Sequence, residues 1–302
     1  MIALVTGANG FLGSALVAAL AARGNEVIAA VRKPGSINTK RGVREAVFDM
    51  SYGDAQLRAL LAPADVIYHL AWSSLPATSD IDPVGDASDN IVGAVRMLKA
   101  LENRDDVRFV FSSSGGTVYG EMMGPAALES QATAPISAYG VSKLAVEGYL
   151  GLFGRLRGLD HVSLRIANPF GPSQTGTKNF GAIATFARRG LKGEPITIWG
   201  DGRTVRDYIY LDDVVDALLA AGDKRGGPRI LNVGSGVGRS LNELIAAIES
   251  EIGRPLNVRY EAARGFDIGA NVLDTRLASR VLGWRAATPF GEGLARMVSA
   301  LR

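Results

Sequence analysis

Thr6-Gly7-Ala8-Asn9-Gly10-Phe11-Leu12-Gly13 stands between an apolar run that opens the chain, Ile2–Thr6, and an alanine- and leucine-rich stretch, SALVAALAARG, that ends at Gly24. Three glycines at these spacings permit a tight turn, close backbone approach to a pyrophosphate, and close contact between helix and strand. The helix that follows presents unpaired N–H groups to an anion. A glycine-rich turn alone says little, but one placed after a first strand and before a first helix predicts a dinucleotide site.

Further along, β-rich runs at Glu26–Val31, Val43–Phe48, Val66–Leu70, Arg108–Ser112 and Val162–Ile166 alternate with helical stretches. Such alternation predicts a parallel sheet with helices on both faces. The runs at Ile2 and Val66 are apolar throughout, as strands covered on both sides should be. After Asn168 the texture changes to NPFGPSQTGTKNFG, a helix through Arg189, the turn-rich WGDGRT, the acid-led helix YLDDVVDALLAAG and a short strand RILNVGS. Ser240 and Glu243 form a capping box, and Thr288–Pro289 predicts the start of the last helix. The expected fold is α/β, a doubly wound parallel sheet of Rossmann type with a smaller C-terminal α/β substrate lobe. The dinucleotide-binding domain would span 1–167, with 207–230 returning to it, and 168–302 would form most of the interleaved lobe. The polar stretch Ser73–Asp89 reads as a long loop that shapes the substrate pocket.

Composition narrows the classes. The 302 residues are 47% hydrophobic and 21% charged, with a net charge of +3 that gives no reason to expect a nucleic-acid partner. There are no cysteines, hence no disulfide or thiol chemistry, and with two histidines no metal site is expected. No run of about 18 apolar residues occurs and the chain opens on a strand, so a cytoplasmic protein without a membrane span is expected.

Two features carry chemistry. The second strand ends Val31-Arg32-Lys33 where an NAD enzyme would place an acid for the ribose hydroxyls. These cations are either solvated loop charges or a seat for a 2′-phosphate, which leaves both NAD and NADP open. Asp49 is either a turn acid or a contact to the adenine amine, and His69 reads as structural. Tyr139-Gly-Val-Ser-Lys143 lies in a helical run, so Tyr139 and Lys143 share one face. A free phenol ionises near pH ~10; bringing it to neutrality requires roughly 4 kcal/mol of phenolate stabilisation. A nearby ammonium and the positive ring of an oxidised nicotinamide would supply this in a poorly solvated cleft. Such a phenolate would take a proton from a sugar hydroxyl.

TGANGFLG, HLA, Asn90 in DNIVGAVRML, FSSSGGTVYG, YGVSK, RIANPFGP, IWGDGRTVRDYIYLDDV, LNVGSG and RGFDIGANVLD…LGW occur in order nearly end to end. In these motifs the chain resembles the extended short-chain dehydrogenase/reductase family, and within it the nucleotide-sugar 4-epimerases. The resemblance implies oxidation of the sugar at C4, turnover of the 4-keto sugar in the pocket, and reduction on the opposite face. It implies Tyr139 as base, Lys143 as its partner, and a hydroxyl at the end of FSSS to orient the sugar oxygen. That segment is one residue longer than is typical; strand register favours Ser114, with Ser113 and Thr117 as rivals. Cofactor contacts are expected at Gly7, Asn9, Gly10, Phe11, Leu12, Gly13, Arg32, Asp49, Met50, Leu70, Ala71, Asn90, Ser112, Tyr139, Lys143 and Ala167. Substrate contacts are expected at Ser113, Ser114, Tyr139, Asn168, Asn179, Arg206 and Arg264, the two arginines clamping a diphosphate. Gly115, Gly116 and Thr117 stand where sugar dehydratases and decarboxylases carry acids, which favours plain epimerisation of a UDP-sugar. An NADPH-dependent 4-ketoreductase is the nearest alternative, and a non-catalytic dinucleotide sensor a remoter one. The family likeness also suggests a homodimer.

Overall fold

The computed structural model describes residues 1–37, 41–76, 78–122, 124–174, 181–263 and 268–302. Six strands fall where the apolar runs predict them: β1 Ile2–Thr6, β2 Glu26–Val31, β3 Val43–Val47, β4 Val66–His69, β5 Arg108–Ser114 and β6 Asp160–Ile166. Three short strands, β7 Asn168–Phe170, β8 Ile196–Trp199 and β9 Val205–Tyr210, precede β10 Ile230–Val233. β11 Gly238–Ser240, β12 Val258–Glu261 and β13 Ala270–Asn271 complete the set.

The main sheet is parallel, in the order β10-β6-β5-β4-β1-β2-β3. Helices cover both faces, so the sheet lies between two apolar cores. One, with Val5, Val110, Val162 and Leu231, faces helices Phe11–Ala22 and Leu211–Asp223. The other, with Leu4, Ile67, Phe109 and Phe111, faces helices Asp54–Leu61, Gly93–Ala100 and Ala138–Arg157. Strand order reverses between β1 and β4, which opens a crevice at the strands' carboxyl ends. The edge strand β3 carries two charges, Arg44 and Glu45, and no fully buried residue, as suits an exposed edge.

The smaller lobe holds β7, β9, β11 and β13 in one sheet and β8 with β12 in another, around a third core that includes Phe170, Phe186 and Leu294. Its separation is incomplete: β10, Leu273 and Trp284 pack into the large sheet's core. The capping box forms as expected, Ser240 Oγ receiving the Glu243 N–H and Glu243 the Ser240 N–H at 2.7 Å. The last helix begins one residue later than predicted, at Phe290, because the Asp213 carboxylate takes the Ala287 and Thr288 N–H groups. Ser73–Asp89 is not a loop without structure. Asp82 caps a helix at Pro83–Asp86, and a π-helical turn, Ala87–Val92, continues it into Gly93–Ala100.

Candidate active site

The crevice begins at Gly7, whose φ of +68° suits glycine. A Cβ there would lie 2.9 Å from the Ala71 backbone, so glycine lets the turn after β1 touch the end of β4. At Gly13 a Cβ would meet the Gly7 carbonyl at 2.1 Å, which fixes the first helical turn against the glycine loop. No side chain caps the helix at Gly10, and its N-terminus faces the crevice as a cradle for an anion. These features fit a dinucleotide pyrophosphate. Phe11 and Leu12 pack partly against the core behind them, and the Asn9 amide donates to Ser36 Oγ at 3.2 Å.

Thr6 ties the two strand ends together. Its Oγ1 accepts the Leu70 and Ala71 N–H groups at 3.2 and 3.1 Å and meets His69 Nδ1 at 2.9 Å. With its acceptor sites used, the hydroxyl donates to Nδ1, which places the ring proton on Nε2. Burial first, then the Lys143 charge, push the His69 pKa down to about 3, so the ring is neutral and structural, as the sequence suggests. Met50 packs against Gly93, where a Cβ would come within 2.8 Å of Met50 Cε.

At the far corner Arg32 and Lys33 are exposed. Asp49 faces that corner, but its Oδ1 accepts from Ser51 N and Oγ at 2.8 and 2.5 Å. The Ser51 hydroxyl and amide, with help from Arg32, hold its carboxyl below the usual range.

The Ala138–Arg157 helix starts with Ser137 as a cap, and its Tyr139, Lys143 and Glu147 face the sheet. Lys143 is 2% exposed; its Nζ donates to the Ser112 carbonyl at 2.7 Å and lies 3.5 Å from the centroid of the Trp72 indole. Trp72 also meets the Tyr139 ring edge-on at 5.9 Å. The two expected partners are therefore brought together, with an unexpected indole between them and the end of β4. Burial pushes the Tyr139 phenol above its ordinary value, and the Asp86 carboxylate adds to this. Burial pushes the Lys143 ammonium well down, while Asp86 and Glu147 oppose it. Among the chain's own groups, burial and Asp86 therefore both favour the protonated phenol.

The hydroxyl choice is sharpened by register. β5 runs to Ser114, two residues beyond prediction, so Ser113 shares a face with Phe109 and Phe111. Its Oγ donates to Glu147 at 2.5 Å and it is buried, on the side of β5 that faces the helix carrying Glu147. Ser112 Oγ donates to the His69 carbonyl at 3.2 Å. Ser114 is half-buried and its hydroxyl caps nothing. Ser114 Oγ and the Asn168 amide flank Gly116, so these two expected substrate residues share one wall. Thr117 Oγ1 is enclosed without a hydrogen-bond partner.

Asn168 Nδ2 donates to the Asp207 carbonyl at 2.9 Å, and Ala167 is buried at the end of β6. Arg206 on β9 is held by the Val205 and Ile268 carbonyls at 2.8 and 2.9 Å. Arg264 and Asn179 lie outside the described residues. Asn90, expected at the cofactor, is fully buried and spends its amide on Ser73 and Asp86. Its side chain joins Ser73 to Asp86 and so organises the segment after β4.

Two residues escaped the sequence reading, Trp72 and Asp86. The Asp-Pro pair at Asp82-Pro83 was a usable signal for the helix that carries Asp86. Among the described residues no group of three acidic or histidine side chains is placed to hold a metal, and no helix is long and apolar enough to cross a membrane.

Comparison with known proteins agrees with this geometry. Residues 3–234 match the model of the NAD dependent epimerase/dehydratase family. The chain is 36% identical to a UDP-glucose 4-epimerase of Mycolicibacterium smegmatis, over 99% of this chain and 98% of that relative. It is 28% identical to a dTDP-4-dehydro-6-deoxyglucose reductase of Escherichia coli, over 99% of this chain and 97% of that relative. The crystal structure of the Thermus thermophilus UDP-glucose 4-epimerase in complex with NAD superposes with a TM-score of 0.91 at 33% identity, covering 100% of this chain and 99% of that one.

Proposed function

The chain belongs to the NAD-dependent epimerase/dehydratase family, and from that premise we propose that it is a nucleotide-sugar 4-epimerase that holds NAD and acts on a UDP-sugar. The observation that carries this reading is the Tyr139/Lys143 pair, adjacent and with its ammonium buried, beside a glycine cradle shaped for a dinucleotide. Bound NAD supplies a hydride acceptor and donor for C4 of the sugar. Tyr139 takes the proton of the C4 hydroxyl as the C–H bond breaks, and returns it when the keto sugar is reduced on its other face. The sum is isomerisation with no net oxidation. Ser114 orients the C4 oxygen, Asn168 supports the sugar diphosphate from the same wall, and Arg206 and Arg264 neutralise its charge. Lys143, anchored on Ser112 and covered by Trp72, holds the nicotinamide ribose and a positive charge in a place closed to water.

Gly115 and Gly116 offer no carboxylate beside Ser114, so the site lacks the acid that elimination or decarboxylation needs. Incubation of purified protein with UDP-glucose or UDP-galactose, with no cofactor added, is expected to interconvert them. One corner supports a second reading, a 4-ketoreductase using NADPH: Arg32 and Lys33 are exposed where a 2′-phosphate would lie. Stoichiometric consumption of NADPH, with no interconversion in its absence, would replace the first reading by the second.

An exposed apolar face supports the expected homodimer. Val141, Tyr149 and Leu156 form an exposed apolar stripe on the Ala138–Arg157 helix, beside exposed Val84 and Val92 on the neighbouring helical segment. Gly148 and Gly151, with open space where a Cβ would be, let a partner helix approach closely. A second copy would cover this face by two-fold pairing of the same helices. Val141→Asp should turn a dimer into a monomer by light scattering; a wild-type chain that is monomeric at micromolar concentration refutes the pairing.

A further inference from the structure

Asp86 is a carboxylate at 3% exposure in the middle of a site built around a phenol and an ammonium. It sits on the last turn of the Pro83–Asp86 helix, immediately before the π-helical turn. Oδ2 accepts from Ser142 Oγ at 2.5 Å; Oδ1 accepts from Asn90 Nδ2 at 3.0 Å and from Ser74 Oγ. All three donors are neutral. They satisfy the oxygens without cancelling the charge, and a buried charge without an ion-pair partner acts on its surroundings through a weak dielectric. The Ser142 hydrogen bond docks that charge on the turn of the helix that carries both Tyr139 and Lys143. The titratable groups around it are Tyr139, Lys143 and Glu147 on this helix, His69 behind Lys143, and Asp80 and Asp89 on its own segment. Of these, Lys143 is the cation.

We infer that Asp86 is a positioning residue whose buried charge, delivered by the segment after β4, keeps the Tyr139/Lys143 pair in its working charge state. The charge opposes the loss of a proton from Lys143, which burial favours, and it holds Tyr139 as a phenol until a positive ring is bound. The segment 73–92 therefore sets the electrostatics of the site and ties it to the cofactor cleft through Asn90. A tether without charge would need only the hydrogen bonds; Asn keeps one acceptor oxygen for Asn90 and Ser74 and would donate to Ser142 Oγ where Asp accepts.

The activity arm of the test rests on the epimerase reading; the stability arm does not. In the stability arm, unfolding equilibria of the full-length wild type, Asp86→Asn, Lys143→Met and the double variant are compared near neutral pH. Asp86→Asn should lower the folding equilibrium constant at least about ten-fold more with Lys143 present than with Met in its place. A double variant that folds when Asp86→Asn alone does not is the same coupling at its limit. Equal losses in both backgrounds, or failure of both to fold, overturn the proposal. In the activity arm, Asp86→Asn should move both limbs of the kcat/KM profile to lower pH by roughly one unit, because phenol and ammonium both give up protons sooner without the carboxylate. Ser142→Ala removes a hydrogen bond and keeps the charge, so it should cost stability and leave the limbs in place. An Asp86→Asn enzyme with a lower kcat and unmoved limbs overturns the charge role. If no nucleotide sugar turns over at all, the epimerase reading fails while the stability arm still decides this one.

Discussion

Tyr139→Phe should lower turnover about 10³-fold or more, at the upper end of what a single acid–base group contributes, while dinucleotide content and folding stay as in wild type. The ring remains, so its edge contact with Trp72 at 5.9 Å and its packing on the helix survive. What is lost is the oxygen that carries the C4 proton. Substrate KM should change little, because on the proposed reading binding rests on the diphosphate and the wall made by Ser114 and Asn168. Single-turnover reduction of bound NAD by a UDP-sugar, followed by its absorbance, isolates the step. Normal single-turnover rates in the variant would remove Tyr139 from the chemistry. The sign of the phenol's shift gives this prediction a second edge. Since burial and Asp86 raise the phenol, the wild-type rate should rise with pH until the phenol is ionised, and a positive charge bound beside it should bring that limb to lower pH.

The sheet was legible because burial on both faces leaves a simple trace: uninterrupted apolar runs, each closed by a turn. β1, β2 and β4 fall within one residue of their predicted ends for that reason. Tyr139 and Lys143 were legible because four-residue spacing on a helix has one geometric meaning. The serines were harder. The sequence FSSS does not say where the strand stops; register favoured Ser114 but left Ser113 and Thr117 as rivals, and only β5 reaching residue 114 shows Ser113 turned to Glu147 with Ser114 half-buried beside Asn168. Asp86 and Trp72 were hidden differently. Ser73–Asp89 has the composition of a loop, and the partners that bury Asp86 come from Ser74, Asn90 and Ser142, the last more than fifty residues away. Asn90 was singled out by family likeness, yet the side chains that saturate it, Ser73 and Asp86, lie in that stretch.

Glu147→Ala should destabilise the fold by about 3–5 kcal/mol, the largest stability loss expected from one substitution near the site. Glu147 and Arg165 are both 4% exposed at the side chain and meet at 2.7 Å, with a second contact from Arg165 Nε at 3.0 Å. The guanidinium also lies over the Tyr119 ring at 4.8 Å, while Nη1 has no partner. Removing the carboxylate leaves a buried cation that water cannot reach, and releases the Ser113 hydroxyl as well. The pair joins the Ala138–Arg157 helix to β5 and β6, so the loss should also loosen the helix face that carries Lys143. At roughly 2–4 °C per kcal/mol for a chain of this order of size, the melting temperature should fall by about 10 °C. Glu147→Gln, which keeps an acceptor for Arg165 and loses the charge, should fall between the two. The double change Glu147→Met with Arg165→Met should recover much of the stability, since it removes both charges from a site that can pack apolar atoms. Calorimetry on the four proteins distinguishes a charge left without its partner from a simple loss of packing. If Glu147→Ala and the double variant melt together, the stranded guanidinium is not the cause.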